Sequence, residues 1–331
     1  MIVNRIPRGG ATRGALAIAA FVAMPVMAQA AAGFPERPVR VIVPYAPGGS
    51  SDFTARVLQP RLAEQLGQQI VIDNRSGAAG NIGVEVAARA NADGYTLLFG
   101  NVGTIAINPG LFPAFPVQPL RDLAAIIEVA DLPSVLVVNT TLPVANVREL
   151  IDYAKKSAGQ LNFAGTGSSN RIDSESFIRA AGIKMVHVPY KGGAGPAIIG
   201  LLANETQVMF SLLSACSSFV KQGRLKALGV TATKRNAALP DVPTLPEAGF
   251  AAMKSGSWQG LFAPRNTPAA VVTRLFASAA QAMDHPELRK RLADAGIDVV
   301  VSASPADFTA FIKAETARFA AVIKEAGISA D

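Results

Sequence analysis

The chain has 331 residues, half of them hydrophobic, and its 31 basic and 24 acidic residues leave a formal charge of +7. A single cysteine excludes a disulfide-stapled fold, and the lack of any run of Lys and Arg argues against a nucleic-acid-binding surface. At this length two domains are expected rather than one.

Arg5, Arg8 and Arg13 precede an apolar run over 15–28 that ends in Ala28-Gln29-Ala30. This reads as a secretory signal peptide cleaved near Ala30, because the run is too short for a membrane span and meets a small-residue cleavage site. Arg13 has no arginine beside it, which points to the general export route. Without the three leader arginines the mature chain, of about 300 residues, keeps 28 basic against 24 acidic residues, a charge of +4. The expected compartment is the periplasm.

The first element after the leader is a β-branched strand over 39–43. Val39, Val41 and Val43 share one face and Ile42 the other, so both faces are expected to be covered. Pro47, Gly48 and Gly49 break the strand after Tyr45, and Ser50 or Ser51 can cap the helix that follows. Such a junction aims free backbone N–H groups and the positive end of a helix dipole at one edge of a parallel sheet, a place for an anion. A plain strand-to-helix connection would read the same way. Asp52 has two readings: it can accept from a solute's amino or hydroxyl group, or it can hold the Gly48-Gly49 turn in shape.

The pattern then repeats, with strands at 69–73 and 95–99 around a helix at 84–90, which predicts a parallel sheet flanked by helices. The turn Gly77-x-x-Gly80-x-x-Gly83 lacks the G-x-G start of a dinucleotide site, so no cofactor is expected. Asn101 and Thr104 form a second candidate rim. Two apolar strands, 124–129 and 134–138, are expected on either side of a break at Asp131-Leu132-Pro133, where the chain passes into a second domain. After an amphipathic helix at 147–156 and a strand at 161–164, Gly165-Thr166-Gly167-Ser168-Ser169-Asn170-Arg171 makes the first junction again, opening a helix that ends near Gly182. A strand at 185–189 leads into Tyr190-Lys191-Gly192-Gly193. Strands at 207–212 and 225–230 follow, then a proline-rich connector, a strand at 257–264 that returns to the first sheet, and helices at 268–282, 286–295 and 305–326, each opened by a proline.

Several motifs in this order resemble one family. They are Phe34-Pro35-Glu36-Arg37-Pro38, the Pro-Gly-Gly-x-x-Asp turn ending at Asp52, Asn74-Arg75, Gly80-Asn81-Ile82-Gly83, and Asp93-Gly94-Tyr95-Thr96-Leu97-Leu98. Val188-Pro189-Tyr190-Lys191-Gly192, Leu239-Pro240-Asp241-Val242-Pro243-Thr244 and Trp258-x-Gly260-Leu261-Phe262-Ala263-Pro264 complete the set. The chain is similar to the Bug-type, TctC-like periplasmic receptors of tripartite tricarboxylate transporters. The resemblance implies a two-lobed α/β binding protein of the Venus-flytrap, type II-like kind, each lobe a mainly parallel sheet flanked by helices. Domain 1 would comprise 31–133 and 251–331, domain 2 residues 134–250, with the ligand cleft between them. It implies a small organic acid or amino acid as solute, membrane permease subunits as partners, a monomer, and no catalysis.

On this reading the solute-facing residues are Tyr45, Pro47, Gly48, Gly49, Ser50, Ser51, Asp52, Asn101 and Thr104 from one lobe. Thr166, Gly167, Ser168, Ser169, Asn170, Arg171, Tyr190, Lys191 and Ser211 face them from the other. Three positions depart from the family: Arg171-Ile172 stands where His-Leu is common, Gly200 where an aspartate is common, and Ser211 where Met-Phe-Asp would end. An extra residue falls around Gly193 to Gly195. A site with Arg171 and Ser211 would be more electropositive, unless Arg171 points to water. A receptor feeding a sensor remains a second reading. A periplasmic enzyme is the third, but His187 and His285 have no evident partners, Cys216 reads as a small buried residue, and neither a metal-ligand spacing nor a G-x-S-x-G elbow occurs.

Overall fold

The computed structural model describes residues 1–2, 33–157, 159–165, 168–190, 194–253 and 256–327. The expected signal peptide and cleavage site, Thr166, Gly167, Lys191 and the side chain of Ser168 lie outside what is described. The strands are β1 (Val39–Val43), β2 (Ile70–Asn74), β3 (Thr96–Asn101), β4 (Leu123–Asn139), β5 (Asn162–Gly165), β6 (Val186–Pro189), β7 (Val208–Leu212), β8 (Leu225–Val230), β9 (Gly256–Pro264) and β10 (Asp298–Val299). They run in the order β2-β1-β3-β9-β4-β7-β5-β6, with β8 and β10 also paired to β4.

Burial follows the period-two pattern of β1. Val39, Val41 and Val43 join the core under the helix Ser50–Leu66, while Ile42 joins the core on the opposite face of the sheet. Arg40 at its wet end is paired with Asp73 of β2. The helix stops at Gly67, whose left-handed φ of 70° lets its N–H return to the Ala63 carbonyl, a geometry that glycine takes without strain.

The βα repeats are parallel, as read from their alternation: β1 pairs with β2 and β3, and β5 with β6 and β7. The returning strands are not. β9 runs antiparallel to β3 and β4, and β4 runs antiparallel to β7, β8 and β10, so each sheet is mixed rather than mainly parallel. A second correction concerns the break expected at Asp131-Leu132-Pro133, because β4 is one continuous strand of 17 residues. Leu123 to Pro133 pair with β9, and Ser134 to Asn139 pair with β7 and β8. Pro133 sits where the strand changes partners, so its missing N–H costs no central ladder bond. Facing it, Gly256 leaves room that a Cβ would not, since that atom would lie 2.6 Å from the Leu132 carbonyl oxygen. Beyond the crossing, Leu136 and Val138 enter one core and Val135 and Val137 the other. The two-residue β10, in the gap between the helices expected at 286–295 and 305–326, was not expected; it pairs with Ala130 and Asp131.

Candidate functional site

The carboxyl end of β1 delivers the chain into a turn that puts the N-terminus of the helix Ser50–Leu66 beside the end of β3. Gly48 takes φ +87°, and Gly49 is the extended residue before the helix, with no side chain capping it. The helical ladder begins with Phe53 N–H to the Gly49 carbonyl at 2.9 Å, so the N–H groups of Ser50, Ser51 and Asp52 have no acceptor within the helix.

Asp52 settles between its two readings by its contacts. Its carboxylate accepts from the Gly48 N–H at 2.9 Å, Arg56 Nε at 2.9 Å and Asn74 Nδ2 at 3.0 Å, and the residue is buried. Burial pushes its carboxyl up, but the bonds from Arg56, Gly48 and Asn74 and the Arg56 charge outweigh that and hold it below the ordinary range. Asp52 therefore holds the turn, and the Gly48 N–H is already spent on it. Asn74 also donates to the Tyr45 carbonyl at 3.0 Å, tying β2 to the same turn.

Asn101 closes the rim from β3. Its Oδ1 accepts from Tyr45 Oη and from the Thr104 N–H, each at 3.1 Å, and its Nδ2 donates to Ser51 Oγ at 3.4 Å. Burial pushes the Tyr45 phenol up to about 12 against the opposing hydrogen bond to Asn101, so the phenol stays a donor. Gln259 of β9, which lies opposite Asn101, donates through Nε2 to the same Ser51 oxygen at 3.3 Å. Tyr45, Ser51, Asn101 and Thr104 thus form one connected network, with Asp52 and Asn74 beneath it. Ser50 is half-buried beside them, and Pro47, Gly48 and Gly49 are exposed.

The second junction is built differently. The helix Ser168–Ala181 opens at Ser168, and Asn170 Nδ2 donates to the Phe210 carbonyl at 2.8 Å, fastening the helix to β7. Ser169 Oγ lies 3.4 Å from Asn170 Oδ1. Asp173, one turn on, accepts from Ser134 Oγ of β4 at 2.7 Å inside the protein. Arg171 is half-buried at this end, and Ile172 packs into the core of the first sheet.

Two residues expected at the rim are occupied elsewhere. Tyr190 Oη donates to Glu205 at 2.9 Å. Its ring fills the space over Gly200, where a Cβ would overlap the phenol, so this departure from the family pattern is steric. Ser211 is fully buried and donates to the Leu212 carbonyl at 3.3 Å. Cys216 is fully buried and its thiol is pushed up to about 12 by burial, which leaves it no thiolate for nucleophilic chemistry. His187 stacks against Phe163 with ring centroids 5.1 Å apart. Among the described residues no group of His, Cys, Asp and Glu has the arrangement of a metal site, and no helix is long and apolar enough to cross a membrane.

Sequence reasoning missed Asn74, Arg56 and Gln259 as parts of this region. Asn74 was visible only as a motif letter and Gln259 as the variable residue after Trp258; Arg56, four residues after Asp52 on a helix, was the legible one.

Known proteins match over nearly the whole chain. The family model described as "Tripartite tricarboxylate transporter family receptor" matches residues 54–328. Protein BugT of Bordetella pertussis is 34% identical over 309 residues, covering 92% of this chain and 93% of the relative. The solved structure of Rpa4515 of R. palustris with adipate superposes with a TM-score of 0.83 at 34% identity, covering 89% of this chain and 99% of the other. MatC from Rhodopseudomonas palustris with bound malate gives 0.78 at 32% identity, over 88% and 100%.

Proposed function

The chain belongs to the tripartite tricarboxylate transporter family of receptors, a family of binding proteins and not of enzymes, and from that premise we propose that it takes up a small carboxylate between its two sheets. The observation that carries this reading is the first turn of the helix Ser50–Leu66: three N–H groups precede its ladder, beside a hydroxyl held between two amides. Adipate and malate, the acids held by the two solved relatives, are anions of the kind such donors bind.

In this reading the carboxylate lies between the N–H groups of Gly49 to Asp52 and those of the turn over 166–170. Each helix end contributes about 0.3 to 2 kcal/mol and each charge-assisted hydrogen bond about 1.5 to 3. Four to six such contacts, net of ordering costs, suffice for the ~8 kcal/mol of a micromolar complex. Arg171 adds long-range attraction. The lobes divide as 31–133 with 251–331, and 134–250; what supports that division is the exchange of partners along β4 between Pro133 and Ser134. The chain loses its leader near Ala30, works in the periplasm as a monomer, and hands its solute to membrane permease subunits.

Calorimetric titration with adipate and malate tests the donor assignment. Gly49→Pro removes a backbone N–H, and the φ of −79° at Gly49 is one proline adopts. It should weaken binding at least tenfold, about 1.4 kcal/mol, while melting near the parent temperature. Arg171→Ala should cost less, with an effect that fades as salt is added. Parental affinity in folded Gly49→Pro together with abolished binding in Arg171→Ala would replace the helix-end model by an arginine clamp.

A further inference from the structure

A cavity of about 490 Å³ opens at the opposite end of the first sheet from the rim around Ser51. Pro264, which lines it, ends β9 and lies five steps, ~17 Å, along that strand from Gln259 at the rim. The charged side chains in its wall are Arg89, just past the helix Asn81–Ala88, Arg121 of the short helix Pro119–Asp122, Arg265 of the turn after β9, and one carboxylate, Asp122. That carboxylate is committed: it accepts from the Gln118 N–H and from Nε and Nη2 of Arg121, each at 2.7 Å. Arg121 Nη2 also donates to the Pro116 carbonyl at 2.9 Å, which fixes the guanidinium and leaves Nη1 unspent among the described residues. Arg89 meets only Glu85, in an exposed pair that water already weakens. Arg265 is anchored by its backbone, whose N–H donates to the Asp122 carbonyl at 3.0 Å. Its guanidinium and the Asn266 amide have no side-chain partner among the described residues.

The wall thus presents guanidinium donors from three separate elements around one space, with its only carboxylate already engaged. A cation finds no free acid there. Guanidiniums gathered in this way repel one another, and an anion relieves that repulsion while offering oxygen pairs to planar forks, which is how arginine binds carboxylates and phosphates. A single carboxylate engages one fork and leaves the others apart. The volume falls within the range of about 300 to 1,000 Å³ of small-molecule sites, so more than a lone ion fits. We propose that this cavity is a second anion site, separate from the solute cleft, that takes a compact polyvalent oxyanion of the polyphosphate or polycarboxylate kind, with Arg265 as its main unspent donor. It goes beyond the carboxylate reading of the rim and does not rest on it.

The test is calorimetric titration of the mature protein with pyrophosphate and, separately, with citrate, each alone and again after saturation with adipate. One equivalent should bind in both conditions, because adipate occupies the other end of the sheet. Arg265→Ala should weaken that binding by about tenfold, the loss of a charge-assisted contact. Arg291→Ala removes the same charge from an exposed position on the helix Pro286–Asp294 and should leave affinity within about twofold. Both variants change exposed side chains and should melt with the parent. Binding of pyrophosphate alone would uphold the site for phosphate esters, and of citrate alone for polycarboxylates. No binding of either anion, equal losses in the two variants, or displacement of both anions by adipate would overturn the proposal. Should adipate itself fail to bind, the carboxylate reading of the rim would lose its support, and the contrast between Arg265→Ala and Arg291→Ala would still decide this site.

Discussion

Two carboxylates in this molecule are buried to nearly the same degree and live in opposite circumstances. Asp52, 4% exposed, receives three hydrogen bonds at the rim of the first sheet and is held below its ordinary range. Glu128, 8% exposed in the middle of β4, accepts no hydrogen bond at its carboxylate from the described residues; burial first, then the charges of Asp131 and Glu315, push it up to about 7. Arg318, the cation beside Glu315, spends both Nε and Nη2 on that residue. The rim carboxylate is an internal strut, since its charge is what gathers the turn. The one behind the sheet gathers nothing and is a cost whenever it is ionised. Burial alone therefore does not identify a working acid; the donors around it do.

The largest effect should come from removing the strut. Asp52→Ala leaves the Gly48 N–H without its acceptor, Asn74 Nδ2 with only the Tyr45 carbonyl and Arg56 with only Asn74 Oδ1, which should destabilise the fold by about 3 kcal/mol in urea unfolding at pH 7. Carboxylate affinity should fall with it, because the turn presenting Ser50 and Ser51 keeps only the Tyr45–Asn74 tie to β2. A loss below about 1 kcal/mol would mean that the glycine turn holds its own shape and that the strut is incidental.

The opposite sign is expected at Glu128. Its folded value lies above the unfolded 4.5, so its contribution to stability is fully present below pH 4.5 and is lost as pH rises through about 7. Glu128→Gln, a mimic of the protonated acid, should be more stable than the parent by on the order of 1 to 2 kcal/mol at pH 8 and equal to it at pH 4. Asp52 runs the other way: its contribution is present above its ordinary value near 3.8 and disappears as pH falls through the lower folded one. Urea titrations of parent and Glu128→Gln at pH 8 and pH 4, and of parent and Asp52→Asn at pH 5 and pH 2, would show whether the carboxylates separate this way. A Glu128→Gln advantage that is the same at both pH values would show that packing, and not ionisation, is responsible.

The same contrast explains what could be read from the residues. The β1 junction was largely legible, since alternating valines and a Pro-Gly-Gly break each have a local cause, and the faces of Val39, Val41, Val43 and Ile42 fall where period two puts them; the expected serine cap is not formed, because Gly49 takes the N-cap position and Ser50 and Ser51 are the first helical residues. β4 was misread because Pro133 ordinarily ends a strand, and only the tertiary exchange of partners makes it acceptable there. The contacts of Tyr190 and Ser211 were not legible for a related reason: a motif gives the residue but not its partner, and Glu205 and the Leu212 carbonyl were invisible as such. Gln259 gave no sequence signal, because its significance lies in two amides meeting one hydroxyl across strands that are far apart in the chain.

The smallest effect tests how much of the strut's strength is ionic. Arg56 is about half exposed, so its bond to Asp52 competes with water, and a pair of that kind is worth about 1 kcal/mol or less. Asp52 keeps the Gly48 N–H and Asn74 when Arg56 is removed, and these turn the carboxylate inward regardless of the cation. Arg56→Ala should therefore lower stability by about 0.5 to 1 kcal/mol, well short of Asp52→Ala, and the loss should shrink in 0.5 M salt. In the double variant Asp52→Asn with Arg56→Ala, the interaction between the two changes should come to no more than that same figure. A coupling near 3 kcal/mol would mean that the guanidinium, and not the Gly48 N–H, organises the rim, and the turn would then be an ion pair with a loop attached.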